Sequence, residues 1–431
     1  MKKVILMSLV TTTVIMASGY KIPEQSVNSV ALSGADVANT HGADAAYSNP
    51  ANMAFMEDGQ YMEGTFTYIN LTPVKFEGTV RGAQADANSK TENFLLPSLH
   101  YVSNAYGDFR FGASLTVPAG LTKRWQEGGP SQTIAEEFSL KVIEVNPVVS
   151  YKILDNLSIA AGVRMVYSEG IIKSSGTTVV AAGPIYQTIS RDMEGDSLEF
   201  GYNLAIAYKP MKELSLALTY RSEVDLKEDG TAKLSASDAF AITDGVARPI
   251  MTNGATYDGG AGVTVPLPAV LSLATAYTFN EETTVEFVYE RTGWSSYEAL
   301  DFTGYAPALT GVLKVAYDDP KNRNWKDTNT FRLGVTHEFN KKWVGMAGYA
   351  YDESPSPKST VSFELPESNA NIFSLGARYS YNDDLSIGIA GLYDKKDKLD
   401  VAQTGPTGNQ LNGTFSNAAA YLLSIGVGYK F

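Results

Sequence analysis

Three histidines, His41, His100 and His337, are the only imidazoles in 431 residues, and cysteine is absent. Covalent hydrolysis needs a nucleophile and a base within hydrogen-bond reach, and structural zinc needs four Cys or His ligands. His41 sits among small residues, His337 lies beside a short turn at Asn340, and His100 is two residues from Ser98. No nucleophile elbow, phosphate-cradling glycine loop or His-rich metal motif accompanies them. The chain is therefore expected not to be an enzyme and to carry no metal or other cofactor.

Charge is the remaining chemistry. Strand parity turns Arg110, Arg164, Arg221, Arg332 and Arg378 to the same side as Glu144, Glu199, Glu286, Glu290, Glu338, Asp352 and Asp394. One account is a cross-paired lattice bracing a wet interior. The other has Arg164 or Arg221 meeting the headgroup of a ligand.

The elements that would position these groups are strands. Tyr421, Leu423, Ile425, Val427, Tyr429 and Phe431 share one apolar face of the last stretch. Leu422, Ser424, Gly426, Gly428 and Lys430 share the other, which is mostly small or polar. Alternation at period two places one face in an apolar medium and the other in a wetter one. Fourteen such stretches occur, over 60–75, 93–103, 109–118, 139–152, 157–168, 197–209, 213–224, 267–279, 283–294, 327–339, 343–352, 371–381, 385–394 and 419–431. An even number of roughly ten-residue strands suits a tilted crossing of a bilayer.

Short turns (104–108, 154–156, 210–212, 280–282, 340–342, 382–384) alternate with long connections, including 169–196, 225–266, 295–326 and 395–417. That asymmetry is expected of an outer-membrane barrel. Tyr151, Tyr208, Phe279, Phe339, Trp343, Tyr381 and Phe431 would form one aromatic belt, and Tyr68, Trp125, Trp294 and Tyr351 the other. The mean hydropathy of −0.12 does not oppose this, because the two faces of each strand cancel.

Residues 1–19 read as a secretory signal: Lys2 and Lys3, an apolar core from Val4 to Met16, then small residues with cleavage near 17–19. Residues 20–59 are rich in Ala, Ser and Gly without strand periodicity, as suits a plug filling a cavity made by the 60–431 barrel. The net charge of −13 becomes more negative once the two leader lysines are removed, which argues against nucleic acid as a partner.

Two prolines stand inside strands, Pro97 in the second and Pro147 in the fourth, and flank the third. Proline cannot donate to a ladder, so pairing around the third strand could break, with a kink near Gly112, to leave a lateral window. Ordinary bulges are the other account. Asn49-Pro50-Ala51 reads as a helix start, with Asn capping and Pro in the first turn, or as a gate element. Apolar runs at Ala236–Ile250 and Tyr305–Val315 could line an external capture groove or pack on themselves.

Seven pieces in order resemble the FadL family of outer-membrane transporters. They are Ser18-Gly19-Tyr20-Lys21; Ala43 to Met53 with Asn49-Pro50-Ala51; Pro118-Ala119-Gly120-Leu121 with Trp125; Tyr208-Lys209-Pro210 with Leu216 to Ser222; Leu267-Pro268; Trp294-Ser295; and Tyr351 to Pro355. The resemblance implies an all-β, 14-stranded antiparallel transmembrane β-barrel with an N-terminal plug, in the outer membrane of a Gram-negative bacterium. It also implies a hydrophobic small-molecule ligand such as a fatty acid or hydrocarbon, passive uptake and release through a gap in the wall. Outer-membrane lipid and lipopolysaccharide are the expected surroundings, and a monomer the expected state. No carboxylate-binding set is carried over, because the chain has Ser168-Glu169-Gly170 where some members offer basic residues. A diffusion porin for small polar solutes is the main alternative, followed by a barrel enzyme or an adhesin.

Overall fold

The computed structural model describes residues 19–40, 42–126, 130–181, 185–304, 309–404 and 410–431. The leader, apart from Gly19, and His41 lie outside them. Fourteen strands form the wall: β1 (Tyr61–Leu71), β2 (Glu92–Tyr106), β3 (Phe109–Arg124), β4 (Glu137–Leu154), β5 (Leu157–Ala181), β6 (Ile185–Met211) and β7 (Leu214–Arg221). The wall continues with β8 (Val270–Phe279), β9 (Thr283–Thr292), β10 (Thr328–Asn340), β11 (Trp343–Asp352), β12 (Ala370–Ser380), β13 (Leu385–Lys396) and β14 (Ala419–Lys430). Each pairs antiparallel with the next, and β1 closes the cylinder against β14 from Tyr61↔Lys430 to Leu71↔Ala420. Closure joins the first and last strands, so the sheet ends on no terminal edge strand, the condition for a sheet to span a bilayer.

The faces follow the alternation. Leu423, Ile425 and Val427 on β14 are about half exposed, whereas Leu422 and Ser424 between them are buried. The belt beside the short turns is present, with Phe339, Tyr381 and Phe431 more than 60% exposed. At the loop end two belt assignments are corrected. Trp125 and Trp294 are buried, Trp125 against Phe363 and Trp294 against Tyr20 and Trp325. Outside the bilayer these rings serve as cores for the long connections.

β5 and β6 are also taller than their alternation indicates, at 25 and 27 residues. The segments around Ser174–Thr178 stay paired as a hairpin beyond the apolar band. There neither face needs to be apolar, so the sequence pattern fades while the ladder continues. Two further strands, Val224–Ala236 and Ala255–Leu267, extend this external ribbon against β6.

The leading segment packs on inward faces of the wall. Helix α1 (Val27–Ala31) starts at Ser26, whose hydroxyl accepts from Ser29 N in a capping box. It is received by a glycine-rich strip: a Cβ at Gly348 would lie 2.3 Å from the carbonyl carbon of Leu32, and one at Gly376 2.5 Å from Ala31 Cβ. Wall charges hold it in place. Glu286 accepts from the amides of Val37, Ala38 and Asn39 at 2.6, 2.6 and 3.1 Å, and Arg332 donates to Ser33 O at 2.7 Å.

Candidate functional site

β2 and β3 pair from Tyr106↔Phe109 to Leu99↔Leu115 and then part. Beyond that point hydrogen bonds between the two runs return at the loop end. There Lys90 N donates to Arg124 O at 2.7 Å, and Arg124 Nε donates to Glu92 Oε1 at 2.9 Å. Between these two clamps, Asn93–Ser98 and Thr116–Lys123 have no ladder to each other. The cause lies in β3. Its register with β4 shifts between Thr116↔Glu144 and Ala119↔Val142, so Val117 and Pro118 together oppose Ile143. One extra residue is a β-bulge, which bends the strand and re-aims its edge.

The re-aimed edge is taken by the leading segment. Ile22 N donates to Pro118 O and Gly120 N to Tyr20 O, each at 2.8 Å. Gln25 Nε2 donates to Val117 O at 2.8 Å, and Val117 N donates back to Gln25 Oε1 at 3.0 Å. The parted margins are apolar within: Phe94, Leu96, Val117 and Leu121 join Tyr20 and Ile22 in one buried cluster.

Tyr20 and Leu121 also line a cavity at the loop end. Phe138, Leu140, Ile172, Met193, Val265, Leu300, Phe302 and Trp325 supply most of its wall. Tyr20 stands edge-on to Trp294 at 4.7 Å, its hydroxyl donating to Pro266 O. The cavity and the unpaired stretch therefore share Tyr20 and Leu121, and the segment that begins at Tyr20 runs along the β3 edge. The apolar lining suits a hydrophobic ligand.

The sequence model of the Outer membrane protein transport protein (OMPP1/FadL/TodX) family matches residues 8–431. The chain belongs to this family. It is 24% identical to a long-chain fatty acid transport protein of Escherichia coli, over 89% of this chain and 87% of that one. It is 23% identical to outer membrane protein P1 of Haemophilus influenzae, over 98% and 99%. A Pseudomonas aeruginosa FadL homologue superposes with a TM-score of 0.82 at 20% identity, covering 96% of this chain and all of that one. The Pseudomonas putida toluene transporter TodX gives 0.70 at 19%, covering 97% and 100%. The OMPP1/FadL/TodX family consists of outer-membrane transport proteins, not enzymes, and the apolar band of the barrel faces that membrane.

Within this FadL-type barrel the expected site residues fall as follows. Pro97 faces Phe66 of β1 on one side and has no β3 partner on the other, so it edges the gap. Gly112 does not mark the kink: it is paired to Val102 and Val148, and the bulge lies five residues further on. Gly112 serves instead as a close-approach point, where a Cβ would meet Met53 Sδ at 2.6 Å. Pro147 is opposite Ala113 and interrupts the β4–β5 ladder, away from the gap. Asn146 Nδ2 compensates there by donating to Val163 O at 2.9 Å.

Arg164 and Arg221 are absent from the cavity lining, and both are committed to Glu144. Arg164 Nε donates to Oε2 at 2.8 Å, and Arg221 Nη2 to Oε1. Arg221 also stacks 4.3 Å over the Tyr47 ring. This is a brace of the lattice kind, with neither guanidinium free for a headgroup. Asn49 caps the 3-10 turn Pro50–Phe55 by accepting from Ala51 N at 3.1 Å, and donates to Val37 O at 2.8 Å. His100 is buried with both ring nitrogens engaged, by Ser114 Oγ and Gln25 O.

Three polar residues at the cavity have no sequence motif. Arg323 points both terminal nitrogens at Glu364 Oε2, 3.2 Å each. Burial alone would raise the Glu364 carboxyl, but Arg323 and Ser362 hold it below the ordinary range. Glu228, on the external ribbon, is pushed up to about 7 by burial. Tyr297 packs edge-on to Trp325 at 5.0 Å. Of the expected capture runs, Ile242, Val246 and Ile250 form an exposed hairpin away from the cavity. Residues 305–308 lie outside the described set.

Proposed function

We propose that this chain admits hydrophobic small molecules to the outer membrane by passive diffusion, with lateral release. A ligand settles in the apolar cavity, the Tyr20–Gln25 segment shifts, and the molecule leaves between β2 and β3 without crossing the aqueous lumen. The observation that carries this reading is the unpaired stretch Asn93–Ser98 against Thr116–Lys123, whose inner margin is continuous with the cavity through Tyr20 and Leu121. Residues 20–59 act as the plug, which distinguishes the chain from an open diffusion porin. Relatives named for long-chain fatty acids and for toluene support a hydrophobic substrate class.

The bulge supplies the test. Deleting Pro118 removes the extra residue and allows β3 to run in one register with β4 and to reach β2. The expected result is an uptake rate at least about tenfold lower with ligand binding retained, since Pro118 itself does not line the cavity. Uptake at the original rate in the deletion variant would overturn lateral release.

A further inference from the structure

One polar group in the cavity has incomplete bonding. Glu228 lines it from Val224–Ala236 and is only 3% exposed. Its Oε1 accepts from Ser168 Oγ, whereas Oε2 has only the Gly170 backbone beside it, outside hydrogen-bond geometry. Asp196 and Glu169 add negative potential at the same place. Among the described lining residues the one basic side chain is Arg323, and Glu364 occupies both its terminal nitrogens. The remaining surface is mainly aliphatic and aromatic.

We infer that this cavity selects uncharged hydrophobic ligands carrying a hydrogen-bond donor, such as a long-chain alcohol or an alkylphenol, over fatty-acid anions, with Glu228 as the specificity-determining residue. The inference rests on the cavity being the ligand site of the proposed transport. A buried acceptor left unpaired is costly, and a ligand hydroxyl donating to Oε2 removes that cost. A carboxylate would instead set two more acceptors beside Glu228, Glu169 and Asp196, with no cation released to meet it. A plain alkane fills the apolar wall but leaves Oε2 as it was.

The test titrates the purified chain in detergent with 1-decanol, decane and decanoate in mildly alkaline buffer. Tryptophan fluorescence is the readout, because Trp325 lines the cavity 4.9 Å from Trp294. Decanol is expected to bind about tenfold more tightly than either competitor. Glu228→Leu should make decanol and decane equivalent. Glu228→Gln, nearly isosteric and uncharged, should keep decanol binding and strengthen decanoate binding, and serves alone if the Leu variant fails to fold. Decanoate binding as tightly as decanol overturns the inference, as does decanol preference surviving Glu228→Leu. If all three bind without ranking, only this inference falls; if none binds, the cavity loses its role in the transport reading too.

Discussion

Gln25 and Val117 are hydrogen-bonded in both directions: the side-chain amide of one donates to and accepts from the backbone of the other, at 2.8 and 3.0 Å. A glutamine side chain thus stands where the neighbouring strand would stand in an unbroken ladder. Its Nε2 also reaches Ile22 O at 2.8 Å, tying the turned-in edge to the segment below the cavity.

Replacing Gln25 with Leu leaves a buried amide and carbonyl of Val117 unpaired, a loss of roughly 1–3 kcal/mol per group. That loss falls on the contact between the leading segment and β3 rather than on the ladder of the barrel. Uptake of a hydrophobic substrate should therefore rise while the barrel's unfolding midpoint in urea moves little. Unchanged uptake would mean that Tyr20–Gln25 does not limit passage.

The Glu144 brace predicts the opposite pattern. Glu144 is buried and faces two guanidinium groups, so Glu144→Ala leaves both Arg164 and Arg221 uncompensated. Loss of one partner from a buried pair typically costs about 3–5 kcal/mol. Urea unfolding in lipid vesicles should show a large drop for this variant. Conversely, Arg221→Met should leave the ratio of acid to ester binding unchanged; a selective loss of acid binding would return Arg221 to the headgroup role.

The C-terminal end of the leading segment is anchored at Arg110. Its guanidinium donates to the carbonyls of Ser103, Met53, Met56, Glu57 and Gly59 at 2.7–3.1 Å. Arg110→Ala frees the C-terminal end of the segment, and deletion of 20–59 removes it altogether. Liposome swelling with small sugars should show a modest leak for the first and a large one for the second. No leak in the deletion variant would end the plug assignment.

The wall was legible because its physics is local. Tyr421 to Phe431 records lipid and lumen in alternate residues, and the turns sit at fixed points between such runs. The interruption beside the third strand was expected from the prolines around it, but not its place, which is fixed by Gln25 meeting Val117 across 92 positions of sequence. The alternation of the third stretch stops at Pro118, whereas the strand runs on through the bulge to Arg124. Pro147 carried the signal of a break and proved to be compensated by Asn146. The cavity was less legible still. Glu228 comes from the 225–266 connection and Tyr297 and Arg323 from the two ends of 295–326, so nothing local in the sequence brings them together, and only Ser168-Glu169-Gly170 hinted at its acidic side.

Glu228 makes the cavity sensitive to pH. Burial raises its carboxyl to about 7, Asp196 and Glu169 adding to the shift, so below that value it is protonated and above it a carboxylate. Ser168 faces it from β5, and Glu194 and Arg323 share the cavity lining. Because the folded-state value lies above that of the free side chain, the neutral form is favoured on the acid side and lost as pH rises through about 7. Decyl sulfonate, whose charge is constant over this range, should therefore bind more weakly as pH passes that value. Decanol, which can donate to either form, should change little. Glu228→Gln should flatten the sulfonate profile. A sulfonate profile that keeps its slope in the Gln variant would assign the titration to another group.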